Sequence, residues 1–350
     1  MNSSWFKQVW RLALTAITVL IFFMAIRALY RLTKTVHYQD VLDAIAHIPT
    51  FHLFIAAIVV AFGYLVLTIY DFIALRQIGK KIDYPHVALT SFTAYAISHT
   101  IGLNLVTASG IRYRNYRRFN LTHNEIANIV WMVSMAFTFG ITTLIGASLT
   151  SHPEITIQLL SELDKSLGIF EHTFYVRVLG ITMLSMIAAI IVYAGKQGKH
   201  VVIRGWRFDL PPAKIVLQQI AIAILDLSTV ALVLYLLLPP SEHISYWATF
   251  SAFIQSMAIG ILSHVPGGLG VFEVVMITAL PKVDRTQMLA VLLIFRLLYY
   301  IMPFLVALLA LLAYEAKLYL SENSDKKKIT FYIFNTLHQT NVFSYSKRLF

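Results

Sequence analysis

The chain contains no cysteine, which excludes disulfide bonds, thiolate metal sites and cysteine nucleophiles. Charged residues are also scarce: they make up 13% of the 350 residues, whereas 58% are hydrophobic. The mean hydropathy is +0.71. A soluble core of this length cannot bury so much apolar surface. The composition therefore predicts an all-α, polytopic membrane protein.

Motifs for nucleotide hydrolysis and nucleophilic catalysis are missing as well. The sequence has no Walker A motif and no GxSxG, and no second group is placed to work with Glu273 or a histidine as a general base. His99 and His264 have no HExxH-like spacing around them, so neither is predicted to bind a metal. We therefore expect no cofactor, no metal and no catalytic residue.

Basic residues outnumber acidic ones, with 28 Lys and Arg against 17 Asp and Glu. They cluster in short loops between apolar runs, which is the positive-inside pattern of a membrane protein rather than a nucleic-acid-binding surface. The partner that this charge predicts is the anionic headgroup region of the bilayer, not nucleic acid.

Six apolar runs are long enough to cross a bilayer core, which requires about 20 residues. They are Leu12 to Leu29, Phe51 to Leu75, Ile126 to Leu149, Phe174 to Ala194, Ile215 to Leu238 and Met288 to Tyr314.

Loop charges predict which side of the membrane each loop faces. Basic residues cluster at 76–81, 112–118 and 196–214, so these loops are predicted to be cytoplasmic. Acidic residues dominate 154–171, which is predicted to face outward. Counting crossings from these loops places both the N- and the C-terminus in the cytoplasm.

Two further apolar segments, 86–110 and 245–280, are interrupted by glycine or proline. The loop charges predict that each enters and leaves the membrane on one side, the first from the cytoplasm and the second from outside. About six full spans plus two re-entrant hairpins then form an inverted repeat. Eight full spans are the alternative. The predicted divisions are a first membrane repeat at 1–150, a second at 151–320 and a cytoplasmic tail at 321–350.

The second interruption reads SHVPGGLGVFE, from Ser263 to Glu273. Backbone groups in hydrocarbon must be satisfied within the protein, so this stretch must be buried or line a polar cavity. Its first five residues share the form S-H-x-x-G with the stretch from Ser98 to Gly102. Broken helices at corresponding places are where secondary transporters bind substrate, so these stretches are the candidate site.

Four ionisable residues fall inside the apolar segments and need a partner or a purpose. Asp71 lies near the cytoplasmic end of its span, where solvation is the simpler explanation. Asp226 and Arg296 form either a structural ion pair with each other or substrate contacts. Glu273 either caps a helix N-terminus or presents a carboxylate to a cationic headgroup.

The densest positive cluster is IRYRNYRR, from Ile111 to Arg118. Part of its charge sets topology, but Arg112 directly follows the first interrupted segment and suits a lipid phosphate. The interleaved Tyr113 and Tyr116 are predicted to lie at interfacial depth. Pro303, within the last run, is predicted to kink its helix.

SHVPGGLGVFE together with IGLNLVTASGIRYRNY resembles the membrane region of the lysylphosphatidylglycerol synthetase/flippase proteins, the multiple peptide resistance factor family, and of related stand-alone inner-membrane proteins. The resemblance covers roughly Arg11 to Tyr314. It implies lipid translocation without the aminoacyltransferase domain of the two-part members. The residues that it carries over are Asn104, Arg112, Tyr113, Pro266, Gly267, Gly268, Gly270 and Glu273.

The expected function is flippase-like translocation of a polar phospholipid across the bacterial cytoplasmic membrane. The resemblance implies an aminoacylated lipid such as lysylphosphatidylglycerol. Its expected binding residues are those just named, together with the intramembrane charges Asp226 and Arg296. The alternative is a non-catalytic membrane scaffold or subunit for a separately encoded aminoacyl- or glycosyltransferase. The sequence leaves the headgroup, the direction of transport and the oligomeric state open, a homo-oligomer included.

Overall fold

The structure is a computed structural model, and it is helical over most of its described length. Two short strands, β1 (His200–Ile203) and β2 (Trp206–Asp209), pair antiparallel within the predicted cytoplasmic loop 196–214. The all-α polytopic class is confirmed, with this hairpin as a small addition. The structure describes residues 37–101, 104–163, 172–194, 200–203, 206–209, 212–239, 244–263 and 265–317.

Eleven helices are numbered here along the described chain. They are α1 (Tyr38–Ala46), α2 (Thr50–Gln77), α3 (Tyr84–Ile101), α4 (Asn104–Arg117), α5 (His123–Ser151), α6 (Pro153–Leu163), α7 (Thr173–Ala194), α8 (Ala213–Leu237), α9 (Tyr246–Leu262), α10 (Val271–Ala279) and α11 (Arg285–Arg296).

Five helices are long and apolar enough to cross a membrane: α2, α5, α7, α8 and the helix that runs from α11 to Lys317. They coincide with five of the six predicted spans. The sixth, Leu12 to Leu29, lies outside the described residues.

The helix starts follow local sequence. Pro49 and Pro212 precede α2 and α8, and Thr122 and Glu125 form a capping box at the start of α5.

The spans pack through small residues. A Cβ on Gly63 of α2 would lie 2.7 Å from Thr229 Oγ1 of α8, and one on Gly140 of α5 would lie 2.0 Å from Ala223 Cβ. Lipid tails give helices no hydrophobic reason to associate, so membrane helices gain from such close backbone approach. The result is a tight layer of α2, α8 and α5, and α7 packs against both α5 and α8.

Each interrupted segment consists of two helices that pack against each other, α3 with α4 and α9 with α10. As the sequence predicts, α3 ends at Ile101 and α4 begins at Asn104, while α9 ends at Leu262 and α10 begins at Val271. Helix α10 has nine residues. Its length of about 14 Å is half the thickness of a bilayer core. This length favours a re-entrant hairpin over a full span at α10, while the inverted repeat stays a prediction.

The broken ends of the two hairpins come together. Helix α3 contacts the 3₁₀ turn Pro266–Gly268 of the second hairpin, and it also contacts the π-helical turn Leu297–Ile301 that follows α11. The C-terminal end of α3 is fixed there, because Thr100 Oγ1 donates to the Tyr300 carbonyl at 3.2 Å. The fold therefore places both interruptions beside one irregular turn of the last helix.

The π-helical turn ends two residues before Pro303, where the sequence predicts a kink. Pro303 has no N–H for the Tyr299 carbonyl four residues earlier. That carbonyl instead accepts from Tyr64 Oη of α2 at 3.0 Å.

The chain divides after Phe304 into two compact units, and the structure describes the second unit as helix up to Lys317.

Candidate functional site

The first hairpin carries a buried ion pair between Arg112 of α4 and Asp71 of α2. Arg112 Nε donates to Asp71 Oδ2 at 2.9 Å, and Nη2 donates to Oδ1 at 2.8 Å, which is bidentate geometry. The relative exposures of the two residues are 2% and 0%. The guanidinium also lies over the ring of Tyr95 on α3, 4.9 Å from its centroid. These contacts hold three helices together.

The pair corrects one prediction. Asp71 is not solvated, because it is fully buried and is the counter-charge of Arg112. Tyr116 is fully buried as well, and its hydroxyl donates to Asp71 Oδ2 at 2.7 Å. The dense basic cluster hid this arrangement, because one of its arginines and one of its tyrosines turn inward on the same face of α4.

The other candidate residues of the first motif lie elsewhere. Tyr113 is 42% exposed, and its hydroxyl is 2.9 Å from His123 Nδ1 at the start of α5, apart from the buried pair. Asn104 is the first residue of α4, directly after the break, and the structure describes only its backbone. Arg112 is therefore the member of this group whose side chain the structure places in the polar interior.

The glycines of the second hairpin adopt left-handed backbone conformations. The φ angles are 61° at Gly267, 60° at Gly268 and 79° at Gly270. Residues with a Cβ rarely adopt such angles, so the PGGLG sequence is what lets the chain turn here. Pro266 opens the 3₁₀ turn, and Gly268 lies against Gly260 of α9.

The second ion pair joins Glu273 of α10 to Arg296 of α11. Arg296 Nε and Nη2 both contact Glu273 Oε1. Glu273 Oε2 accepts from the Gly270 N–H at 2.7 Å, so the first of its two alternatives, a helix cap, is present. The Arg296 guanidinium also reaches the Gly267 carbonyl at 3.4 Å. This pair ties the glycine turn to the last helix.

Asp226 of α8 lacks the partner that the sequence suggested, because Arg296 pairs with Glu273 instead. Asp226 is 5% exposed, and its Oδ1 has no hydrogen-bond partner. The buried pairs Asp71–Arg112 and Glu273–Arg296 cancel in charge, so Asp226 is the acid of the described interior that no basic residue neutralises. An unpaired carboxylate is expensive in such surroundings and marks an ion or substrate path in membrane proteins.

A chain of aromatic rings connects the two ion pairs. Tyr95, under Arg112, lies 5.7 Å from His99, and His99 is stacked on Tyr299 at 6.1 Å. Tyr299 is next to Tyr300, over whose ring Arg296 lies at 5.5 Å. The path thus runs from the first hairpin, through the end of α3, to the second hairpin.

Sequence reasoning missed most of this aromatic chain. The i, i+4 spacing of Tyr95 and His99 indicates a shared helix face, but it does not indicate what that face contacts. His99 lies among rings, with its Nδ1 buried and unpartnered. His264 lies outside the described residues. Tyr64 and Tyr299 carry no local signal, since their contact joins residues 235 positions apart.

Comparison with known proteins identifies the family of this chain. No family model matches the chain. It is 30% identical over 323 residues to the uncharacterized protein slr0712 of Synechocystis, covering 91% of this chain and 97% of that protein. It is also 30% identical over 311 residues to the inner membrane protein YbhN of Escherichia coli, covering 88% and 94% respectively.

A more distant match is to the phosphatidylglycerol lysyltransferase of Staphylococcus aureus, at 26% identity over 305 residues. The match covers 85% of this chain but 33% of that enzyme. The similarity is therefore to one part of a longer protein. The chain belongs to the family that includes the inner membrane protein YbhN and the membrane region of the lysylphosphatidylglycerol synthetase/flippase proteins, and it is a multi-pass inner-membrane protein.

Proposed function

We propose that this protein translocates a polar phospholipid with a cationic headgroup, such as an aminoacylated phosphatidylglycerol, between the leaflets of the bacterial cytoplasmic membrane. The observation that carries the proposal is the unpaired carboxylate of Asp226, which is buried and interacts with Tyr95 and Tyr299 of the aromatic chain that joins the two ion pairs. The family relationship to a phosphatidylglycerol lysyltransferase supports a lipid as the substrate.

The charges of the interior favour a cationic group. When all are ionised, Asp71, Asp226 and Glu273 bring three negative charges, and Arg112 and Arg296 bring two positive ones. One negative charge is left over at Asp226. A headgroup ammonium neutralises it, and the surrounding tyrosine rings suit an organic cation.

The lipid phosphate is better matched to the second hairpin than to the first. The side chain of Arg296 is 19% exposed, whereas that of Arg112 is 3% exposed and donates three hydrogen bonds to Asp71. Arg296 also lies beside the glycine turn, whose backbone a ligand can approach closely. We therefore assign the phosphate to Arg296 and the ammonium to Asp226, with Arg112 as a structural brace.

The position of the π-helical turn supports one continuous binding path. Tyr299 interacts electrostatically with Asp226, and the next residue, Tyr300, lies under Arg296. Consecutive residues of one irregular turn thus adjoin both proposed contacts. A phosphodiester headgroup with an aminoacyl ester carries its two charges several bonds apart, as this arrangement requires.

The test is leaflet exchange of labelled lipids in proteoliposomes. Phosphatidylglycerol and lysylphosphatidylglycerol are compared for wild type, Asp226→Asn and Arg296→Gln. We expect wild type to exchange the aminoacylated lipid and both variants to lose that exchange. Arg114→Gln and Asp43→Asn, which remove exposed charges of the same kinds, serve as matched controls and should keep it.

A second candidate is a membrane scaffold for a lipid-modifying transferase. It is favoured by the match to part of a longer protein named as a phosphatidylglycerol lysyltransferase. In that case folded wild type binds the aminoacylated lipid but exchanges none. This outcome rules out translocation by the protein alone, and reconstitution with the transferase then becomes the next experiment.

The inverted repeat is part of the same proposal, because it offers the site to each leaflet in turn. The absence of native cysteine allows a direct test with the single variants Arg118→Cys and Asp284→Cys. A membrane-impermeant thiol reagent should label these two positions from opposite faces. Labelling of both from the cytoplasm means that the topology is not inverted.

A further inference from the structure

Asp226 differs from the other two buried acids of the described interior. Asp71 and Glu273 each have an arginine within hydrogen-bond distance, and each accepts at least one further hydrogen bond. Asp226 Oδ1 accepts no hydrogen bond, although the residue is buried, with an exposure of 5%. The fold has thus neutralised two acids and left a third without a counter-charge.

Two polar atoms of the aromatic cluster that includes its neighbours Tyr70 and Tyr95 are also unpartnered. The hydroxyl of Tyr70 and Nδ1 of His99 are buried without a hydrogen bond. Tyr70 interacts electrostatically with Asp226, and Tyr95 lies between Tyr70 and His99, with ring centroids 6.4 Å and 5.7 Å away. Buried polar atoms without a partner are rare in a well-packed interior, so Asp226 and its neighbour Tyr70 indicate a place that a ligand or a proton occupies.

The ionisable groups around Asp226 come from several packed elements. Those that interact with it electrostatically are Tyr64, Tyr70, Tyr95 and Tyr299.

The remaining helices that pack on α8 bring no free counter-charge to Asp226. In α11 the guanidinium of Arg296 is engaged by Glu273. In α9 the hydroxyl of Tyr246 donates to the Ser228 carbonyl. The other ionisable residues of α5 and α7 lie at or near the ends of those helices, and they are His123, Glu125, His152, Tyr175, Arg177 and Tyr193.

An isolated ionised carboxylate in such a setting is costly, and two events remove the cost. A proton can bind to it, or a cationic group can lie against it. The two exclude each other at one carboxylate, since a protonated acid no longer attracts an ammonium. Binding of the cationic group therefore releases the proton, and binding of a proton releases the cationic group.

We propose that Asp226 is a proton site that exchanges its proton for the cationic headgroup, so that the protein acts as a proton–lipid antiporter. The proposal rests on the proposed function and adds its energy source. When the lipid ammonium binds, the O–H bond of the Asp226 carboxylic acid breaks and the proton leaves to the aqueous side that is open. When a proton returns from the other side, the carboxylate is neutralised and the lipid leaves there.

The exchange sets a direction. Protons enter the cytoplasm down their gradient in a respiring bacterium, so the cationic lipid moves outward in return. A lipid without a cationic group does not displace the proton and is not driven. The headgroup class and the energy source thus follow from one residue.

Proton release on binding is the first test, and it needs no translocation. Purified protein in weakly buffered detergent with a pH indicator is mixed with a phosphatidylglycerol ester that carries a trimethylammonium group, whose charge does not titrate. Wild type should release protons as the lipid binds, and Asp226→Asn should release none. Asp226→Glu should restore release, and Asp43→Asn on the exposed helix α1 should match wild type.

Wild type alone provides a second readout if Asp226→Asn does not fold. Because proton and lipid compete, the affinity for the trimethylammonium lipid should rise with pH, by up to about tenfold per pH unit. Plain phosphatidylglycerol should show no such rise. An affinity that does not change with pH overturns the proposal.

A pH gradient across proteoliposomes is the third test. The trimethylammonium lipid should accumulate in the leaflet that faces the acidic side, and reversing the gradient should reverse the accumulation. If the exchange does not depend on the gradient and binding releases no proton, antiport is wrong, but the proposed translocation is still supported. Proton release without any exchange has the opposite meaning: the proton site stands and the proposed translocation fails.

Discussion

The two hairpins use the same pair of charges with the roles exchanged. In the first, the acid is on the span α2 and the arginine is on the returning arm α4. In the second, the acid is on the returning arm α10 and the arginine is on the last helix, α11. The first pair is closed off, with side-chain exposures of 3% and 0%, whereas those of the second are 19% and 11%.

The two ion pairs also differ in what surrounds them, because the acid and the arginine lie on different elements in each hairpin. Asp71 receives Arg112 and Tyr116, both from α4, so the first pair joins side chains of regular helices. Glu273 and Arg296 also hold the backbone of the glycine turn, at Gly270 and Gly267. The first hairpin is thus fixed by a brace between regular helices, while the second is held at the break itself. We expect the second to be the one that moves.

The largest effect should come from breaking the brace. Asp71→Asn leaves the buried Arg112 without its counter-charge, and the free energy of unfolding should fall by about 3–5 kcal/mol. Thermal unfolding in detergent measures the loss. The exposed acid Asp43, changed to Asn, is the control. A loss below that of Glu273→Gln would mean that the first pair is not the main structural one.

Glu273→Gln should have the next largest effect. The amide oxygen can still accept from the Gly270 N–H, so the helix cap survives and the loss is that of a charge-assisted hydrogen bond, about 2 kcal/mol. The same unfolding measurement applies. If lipid exchange requires movement of the second hairpin and that movement depends on the Glu273–Arg296 pair, this variant should lose exchange. Unchanged exchange would contradict that dependence.

Tyr116→Phe removes one hydrogen bond to Asp71 without changing the packing volume appreciably. Because the acceptor is charged, we expect a loss of about 1.5 kcal/mol. Tyr113→Phe, three residues earlier on the same helix, is the matched control. Its hydroxyl bonds at an exposed site to His123, so its effect should be much smaller. Equal losses would show that Tyr116 does not support the brace.

The smallest effect tests the backbone of the second break. A Cβ added at Gly267 would meet open space, but the φ of this residue is 61°, so Gly267→Ala should cost about 1 kcal/mol through backbone strain alone. Gly110 of α4 has equally open space without a positive φ. Gly110→Ala should therefore be neutral or slightly stabilising. Similar results for both would remove backbone conformation as the reason for glycine at 267.

Local sequence predicted the helices well and their partners poorly. Apolar runs predict spans because a bilayer demands about 20 apolar residues, whatever lies beside them. Glycine and proline predict the two breaks because their effect on the backbone is local. The partner of an intramembrane charge is a different matter. The Asp71–Arg112 contact spans 41 positions and the Glu273–Arg296 contact 23, across helices whose relative rotation no local pattern records.

Composition and short motifs were enough to establish a multi-pass helical membrane protein, the places where its helices break, and the family to which it belongs. Which charges neutralise each other became clear from the packing of the helices. That packing buries Asp71 and Tyr116 against Arg112, pairs Arg296 with Glu273, and leaves Asp226 alone among tyrosines. The physical reason is that ion pairing depends on distances of a few ångströms between helices that are remote in sequence, and packing alone sets those distances.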